Sequence, residues 1–224
     1  MPAVIRNLRR AIKQQLSFWR RRVVRPRLPV NADGKVLIHI GCGKKNLKGF
    51  VNVDAQPWAH IHVVTDQIRS LPDFADSSAD LIYVCHVLEH FRRGELKDVL
   101  REMYRVLKPG GVLRVSVPDF DKLVAVYESA DRDIEAIFAP LLGGQDHNYN
   151  VHYLVFNRKL LTAELKAAGF WFVRDWTPGE CEHYEVPDRA SKRMAINGVP
   201  ELISLNLEAV KAVPADCERG GPKA

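Results

Sequence analysis

With 224 residues, 46% of them hydrophobic and 27% charged, the chain has an ordinary globular balance and enough length for one substantial core with appendages. Its four cysteines, Cys42, Cys85, Cys181 and Cys217, are far apart and form no CxxC pair, which excludes a disulfide scaffold and a zinc ribbon and fits a reducing cytoplasm. The net charge of +6 belongs to one end: residues 1–30 hold nine Lys or Arg and no acid, whereas the remainder carries 24 basic against 27 acidic side chains, a net of −3, which argues against a nucleic-acid partner for the domain.

In chain order, the first element is a basic amphipathic helix. Ile5, Leu8, Ile12, Leu16, Trp19 and Val23 recur at steps of three or four, with arginines and lysines filling much of the rest. We read residues 1–25 as a segment that lies on an anionic membrane surface, each arginine there contributing about 1 kcal/mol. A helix packed on the domain, an organelle presequence and a phosphate-binding arm are the other readings of the same pattern. No run approaches the roughly 18 apolar residues of a membrane span, and no signal-peptide core is visible. Pro26 and Pro29 end the helix. The expected division is helix and linker over 1–30, one domain over 31–212, and a disordered tail over 213–224.

From residue 35, strand-like runs alternate with helical patterns, the signature of a parallel sheet covered on both faces. The spacing predicts strands near 36–40, 50–53, 61–64, 80–84, 112–117, 170–175 and 201–207, and helices near 93–107, 119–138 and 157–168. Residues 139–156 form a Gly-, Asn-, His- and Tyr-rich connection, in which Tyr149 and Tyr153 offer flat faces to an acceptor. Residues 176–200, with Pro178, Pro187 and Pro200, form a second long connection.

The first chemical motif follows the first strand. Gly41 and Gly43 lack a Cβ, so the backbone can turn sharply and bring its amides to a ligand. Asn46 stands where a dinucleotide fingerprint has its third glycine, and Asp54 follows Gly41 by only 13 residues, shorter than the roughly 20 of nicotinamide enzymes. The helix after the turn must be truncated or absent, which removes the usual pyrophosphate seat and suits a ligand without phosphate. Asp54, at the end of the second strand, is placed to accept both ribose hydroxyls of an adenosine ligand; capping a turn is its other reading. Asp66 is placed to receive the adenine amino group with Gln67 and Ile68 beside the ring, its alternative being a solvated loop acid.

The strings HIGCGKKNLKGFVNVD, SLPDFADSSADLIYVCHVLEHF and LREMYRVLKPGGVLRVSVPD, in this order and spacing, resemble class I S-adenosylmethionine-dependent methyltransferases of the type-11 kind. Within these the chain looks most similar to the branch found among bacterial cell-surface polysaccharide and lipopolysaccharide genes, over roughly residues 35–210. The resemblance implies a Rossmann-like seven-stranded sheet, mostly parallel with an antiparallel last strand and helices on both faces, and S-adenosylmethionine as cofactor. It also implies a role for particular residues. Gly41, Cys42 and Gly43 match the cofactor loop around the methionine portion, Asp54 the ribose acid, Asp66 the adenine-contacting acid, and Cys85 and His86 the strand-four end beneath the cofactor. Pro109, Gly110 and Gly111 match a structural turn into strand five. The chain departs from the pattern at Lys44 and Lys45, where many such enzymes begin a helix, so a lysine is one source of contacts to the methionine carboxylate.

Methyl transfer from a sulfonium asks chiefly for in-line placement, but a hydroxyl acceptor also needs a base about 2.6 to 3.2 Å from its oxygen. The candidates at the carboxyl edge are His86, Glu89, His90, Asp119, His147 and His152. His90 and His152 are favoured because imidazole titrates near neutrality, with Asp119 in the catalytic set. A structural histidine, a helix-capping Asp119, and a Glu89 that caps the helix at 93–107 or pairs with Arg92 or Arg93 are the competing readings. No metal is expected, since neither His147, His152 and Asp119 nor Cys181 and His183 have a recognisable ligand spacing. The leading expectation is O-methylation of a saccharide or lipid-linked glycan at the inner face of the cytoplasmic membrane. Methylation of a small metabolite or lipid headgroup is the enzymatic alternative, and a non-catalytic cofactor-binding module is the other class.

Overall fold

The computed structural model of the chain describes residues 28–146, 148–181 and 187–213. The amphipathic segment 1–25, His147, His183 and the tail from 214 lie outside the described residues.

Seven strands form the central sheet: β1 (Leu37–Ile40), β2 (Phe50–Asp54), β3 (Val63–Val64), β4 (Ala79–Cys85), β5 (Leu107–Pro118), β6 (Phe172–Asp175) and β9 (Ser204–Val210). Their order across the sheet is β3-β2-β1-β4-β5-β9-β6. The first five are mutually parallel, and β9 runs antiparallel to both β5 and β6. The chain reverses its spatial direction after β1: β2 and β3 lie on one side of it and β4 and β5 on the other. Ligands bind at such a switch point, outside the carboxyl ends of the strands.

Strand alternation divides the side chains into two unlike faces. Ile38, Ile40, Val51, Val53, Ile82, Val84, Leu113, Val115 and Leu207 share the larger apolar core with helices α1 (Arg93–Val106) and α4 (Arg158–Ala167). Helix α1 buries Leu96, Val99, Leu100, Met103 and Val106, a stripe at helical spacing that holds it against the sheet. The residues between these carry much of the polarity: His39, Asn52, Ser116, Asn206 and the ion pair of Arg114 with Glu208 are all buried. Trp176 and Ala190, from the connection after β6, pack on this second face with Leu37, Phe50, Leu81 and Tyr83.

Two sequence expectations are corrected. The helix expected over 119–138 is two helices, α2 (Phe120–Ser129) and α3 (Glu135–Leu142), because Asp131 and Arg132 both take left-handed backbone (φ 53° and 63°) and end the helical run. The strand expected at 201–207 breaks at Ile203. Its first half, β8 (Val199–Leu202), forms a hairpin with β7 (Arg193–Ile196), and only the second half enters the main sheet as β9. That hairpin packs on α2 and α3 through Ile196 and Ile203 against Leu123, Val126 and Ile137. Between β1 and β2 no helix forms, in accord with the short Gly41-to-Asp54 spacing. No helix among the described residues is long and apolar enough to cross a membrane.

Candidate active site

Two loops emerge side by side from the carboxyl ends of the adjacent strands β1 and β4. The first, Gly41–Gly43, is fastened to β2, with the Gly41 amide donating to Val53 O (2.8 Å) and the Gly43 amide donating to Asp54 Oδ2 (2.8 Å). Gly41 and Gly43 both have left-handed φ, 67° and 54°, but their surroundings differ. A Cβ on Gly41 would lie 2.2 Å from Val87 Cγ2, whereas one on Gly43 meets nothing within 4 Å. Gly41 is therefore required by packing, and Gly43 borders open space.

Asp54 is half-buried at the tip of β2, its Oδ1 accepting from the Gln56 amide (2.8 Å). Backbone amides thus hold the carboxylate in one orientation while each oxygen keeps acceptor capacity for ligand hydroxyls. Cys42 is buried, and burial followed by the charge of Asp54 pushes its thiol well above the ordinary range, so it is a small apolar filler and not a nucleophile. Asp66 and Gln67 are exposed, with Gln67 Nε2 donating to Asp66 Oδ1 (3.0 Å), and Ile68 is buried next to them. The lysines have partners of their own: Lys45 Nζ donates to Pro187 O (2.8 Å), and Lys44 Nζ lies 5.8 Å from the Trp58 ring centre.

The glycine turn fastened to β2, the oriented carboxylate and the open space over Gly43 fit an adenosyl sulfonium ligand. Gly41, Cys42, Gly43 and Asp54 would hold it, with Asp66 and Gln67 at the far rim.

The second loop carries His86, Glu89 and His90, which the structure draws together with His152 of the later connection. His86, at the end of β4, has left-handed φ (54°), unusual for a residue with a Cβ, and its amide donates to Ser116 O (2.8 Å). That conformation turns the ring inward, placing Nε2 2.9 Å from Ser204 Oγ and Nδ1 3.2 Å from Glu89 Oε1. Glu89 lies in the short 3-10 turn Leu88–His90 and is only 1% exposed. The carboxylate neither caps α1 nor meets an arginine among the described residues; at the start of that helix it is Glu95 that accepts from the Arg92 amide (3.0 Å). Instead it faces histidines: His152 Nε2 is 4.0 Å from Oε1, and the rings of His90 and His152 stand edge to face with centres 4.9 Å apart.

Burial pushes the Glu89 carboxyl up, but His86 beside it and then the charge of His90 outweigh that and hold the group below the usual carboxylate range. Burial holds His152 below the ordinary histidine value, with the nearby Glu89 charge opposing. His90 Nδ1 and His152 Nδ1 each face a backbone carbonyl, Val151 O at 2.9 Å and Pro140 O at 3.1 Å. A carbonyl can only accept, so both rings carry a proton on Nδ1, and in the neutral form Nε2 is a lone pair.

The connection at 143–156 is tied down around this cluster. The amides of Tyr153 and Leu154 both donate to Glu89 O, and Gln145 N donates to Asn150 O. A Cβ on Gly143 would come within 2.4 Å of Asn150 O, and one on Gly144 within 2.6 Å of Asn150 Nδ2, so the fold of this segment depends on its glycine pair. Tyr149 and Tyr153 are half exposed at its surface, Tyr153 under the Arg92 guanidinium at 4.9 Å.

Asp119 is engaged elsewhere, as the N-cap of α2 accepting from the Asp121 amide (3.2 Å), with burial raising its carboxyl. The residue that sequence reasoning misplaced is Glu89. Its spacing after His86 and before His90 in HVLEH was the available signal, but the burial that makes it chemically interesting is a tertiary property.

Residues 39–115, which span β1 to β5 and include both loops, match the family model described as a methyltransferase domain. No curated protein matches the chain. Among solved structures, the fold is similar to a SAM-dependent methyltransferase from Methanosarcina mazei, at 18% identity over 80% of this chain and 93% of that one, with a TM-score of 0.50. It is likewise similar to a SAM dependent methyltransferase from Archaeoglobus fulgidus, at 17% identity over 79% and 86% of the two chains and the same TM-score of 0.50. The family match covers part of the chain, the stretch from β1 to β5 with both loops at the switch point; the protein is an enzyme of methyl transfer that takes S-adenosylmethionine as its cofactor, on a Rossmann-like sheet.

Proposed function

We propose that the enzyme methylates a hydroxyl group of a saccharide, free or lipid-linked, of the kind found in cell-surface polysaccharides. The observation that carries this reading is the pair of Nε2 lone pairs on His90 and His152, fixed by backbone carbonyls and set beside the loop that packs on Gly41. S-adenosylmethionine, when bound, supplies a methyl group already activated on a sulfonium. What the chain must add is an acceptor site and a place for the acceptor's proton. A nitrogen or sulfur nucleophile attacks with its own lone pair, whereas a hydroxyl is a poor nucleophile until its proton is drawn away. Two ready acceptor nitrogens therefore fit a hydroxyl substrate. Tyr149 and Tyr153, exposed beside the cluster, supply flat faces on which a sugar ring can lie.

The reading is tested by incubating the purified chain with methyl-labelled cofactor and a panel of glycolipid extracts, free sugars and lipids, and identifying the labelled product by mass spectrometry. Label on a sugar oxygen supports it; label on a nitrogen, or only on a lipid headgroup, refutes it. We extend the proposal to place: residues 1–25 hold the enzyme peripherally on the cytoplasmic face of the membrane, close to a lipid-linked acceptor. Deleting residues 1–28 is expected to abolish sedimentation with anionic vesicles and leave cofactor affinity unchanged. A truncated chain that still sediments removes the anchor.

A further inference from the structure

The Glu89 cluster has an unresolved electrostatic problem. Both of its carboxylate oxygens are buried without a hydrogen-bond partner; His86 Nδ1, although 3.2 Å away, lies off the hydrogen-bonding direction and is itself unpartnered. A buried carboxylate left in this way costs several kcal/mol. In their neutral forms its neighbours supply no proton either: His90 and His152 direct their Nδ1 protons to Val151 O and Pro140 O, which leaves Nε2 of each neutral ring as a lone pair. On the third side, the Ser204 hydroxyl donates its single proton to Arg189 O (2.8 Å), so it accepts from His86 Nε2.

Lone pairs thus converge on a carboxylate, and the acceptor atoms that Glu89, His90 and His152 offer all lie within 4.8 Å of one another. Acceptors arranged around a common point, with their outer ring nitrogens tied to backbone carbonyls, are the arrangement that a metal ion selects.

From this geometry we infer that Glu89, His90 and His152 bind a divalent first-row transition ion of the zinc class. Two imidazoles and one carboxylate suit such an ion, whereas magnesium and calcium favour all-oxygen sets. Three protein ligands leave coordination positions open, as in catalytic sites. His86 stands behind Glu89 as a positioning residue, held by Ser204. The inference rests on the proposed acceptor site at this cluster and deepens it: the open positions take acceptor oxygens, so the ion selects substrates with a hydroxyl beside a second oxygen donor. With the ion bound, His90 and His152 act through it as ligands, and the acidified acceptor hydroxyl loses its proton to solvent water; without the ion, the same Nε2 lone pairs take that proton.

The test uses the full chain, stripped with chelator and titrated with Zn2+ by calorimetry and with Co2+ by visible absorption. One equivalent is expected to bind, with Co2+ d–d bands and no thiolate charge-transfer band, because the free cysteines Cys42 and Cys85 lie outside the ligand set. Glu89→Gln, His90→Asn and His152→Asn are each expected to weaken Zn2+ binding by at least about 100-fold. His86→Asn, which leaves the ligands in place, is expected to weaken it by about 10-fold. Because Glu89 is buried, its variant is read alongside the two histidine variants, and circular dichroism establishes that each has folded. Cofactor affinity is measured on the parent and on the His90 and His152 variants and is expected to be unchanged. Absence of Zn2+ and Co2+ binding to the parent, or equal binding by the folded histidine variants, overturns the metal site while leaving cofactor binding intact. Loss of cofactor binding by the parent instead sinks the methyl-transfer reading itself.

Discussion

Single residues in the two loops divide into those that shape the backbone and those that meet ligands, and substitution can separate them. Gly41 and Gly43 share a left-handed φ, so alanine strains both alike, but only at position 41 does the new Cβ strike Val87. Gly41→Ala is expected to lower stability by about 2 to 4 kcal/mol, as strain and overpacking add. Gly43→Ala should cost only about 1 kcal/mol of strain and act mainly on cofactor affinity. Thermal midpoints and calorimetric titration with the cofactor measure the two effects, and equal destabilisation by both would contradict this division. Asp54→Ala removes the carboxylate that also fastens Gly43 and Gln56. It is expected to weaken cofactor binding by about 1.5 to 3 kcal/mol, roughly 10- to 150-fold, the range of a charge-assisted hydrogen bond. An unchanged dissociation constant would remove Asp54 from the site.

Among the elements, helix α4 owes its start to Asn157, whose side chain accepts from the Leu160 amide (3.0 Å), and its position to Leu161 and Leu165 in the main core. Asn157→Ala is expected to cost about 1 kcal/mol in chemical denaturation, the ordinary value of an N-cap. Leu100→Ala in α1 should cost about 2 to 5 kcal/mol, because Leu100 is fully buried between helix and sheet. A Leu100 loss no larger than that of Asn157 would mean that α1 is not held by its apolar stripe. The described part of the 143–156 connection is held by backbone bonds from Tyr153 and Leu154 to Glu89 and by two glycines that admit Asn150, so the segment proposed to face the acceptor is fastened to the turn that carries the cluster.

For the whole molecule, the polar second face of the sheet sets the response to acid. His39, stacked on Tyr83 with ring centres 5.1 Å apart, has its pKa lowered to about 4 from 6.5. Burial is the chief cause, and Asp188 and Asn52 oppose it. Because the folded value lies below the unfolded one, the contribution is complete above about pH 6.5. It is lost as pH falls toward 4, while the unfolded chain takes up a proton that the fold refuses. Over that window the loss is about 3 kcal/mol from this one group. His39→Phe, which keeps a flat ring against Tyr83, is expected to flatten the fall of the thermal midpoint between pH 6.5 and 4 relative to the parent. Parallel profiles for the two chains would show that His39 does not govern acid stability.

Much of this molecule is legible in one dimension because its signals are local. The alternation of strand runs, the α1 stripe and the capping Asn157 each act within a few residues, and the short spacing from Gly41 to Asp54 alone dictates a helix-free cofactor turn. The sequence also determines which side chains could hold a proton or an ion, since HVLEH and HNYNVHY supply the imidazoles and the carboxylate. Only the tertiary structure decided which of them meet. Glu89 looks like a helix-capping acid until the turn at His86 buries it, and Asp119 looks like a partner for the histidines until it caps α2. The run at 201–207 looks like one strand until packing on α2 and α3 bends its first half into a hairpin. For Glu89 and the hairpin the physical reason is contact between residues far apart in the chain, such as His86 and Ser204, which no local pattern records; Asp119 is settled by a local cap, one of two local readings that its position allows.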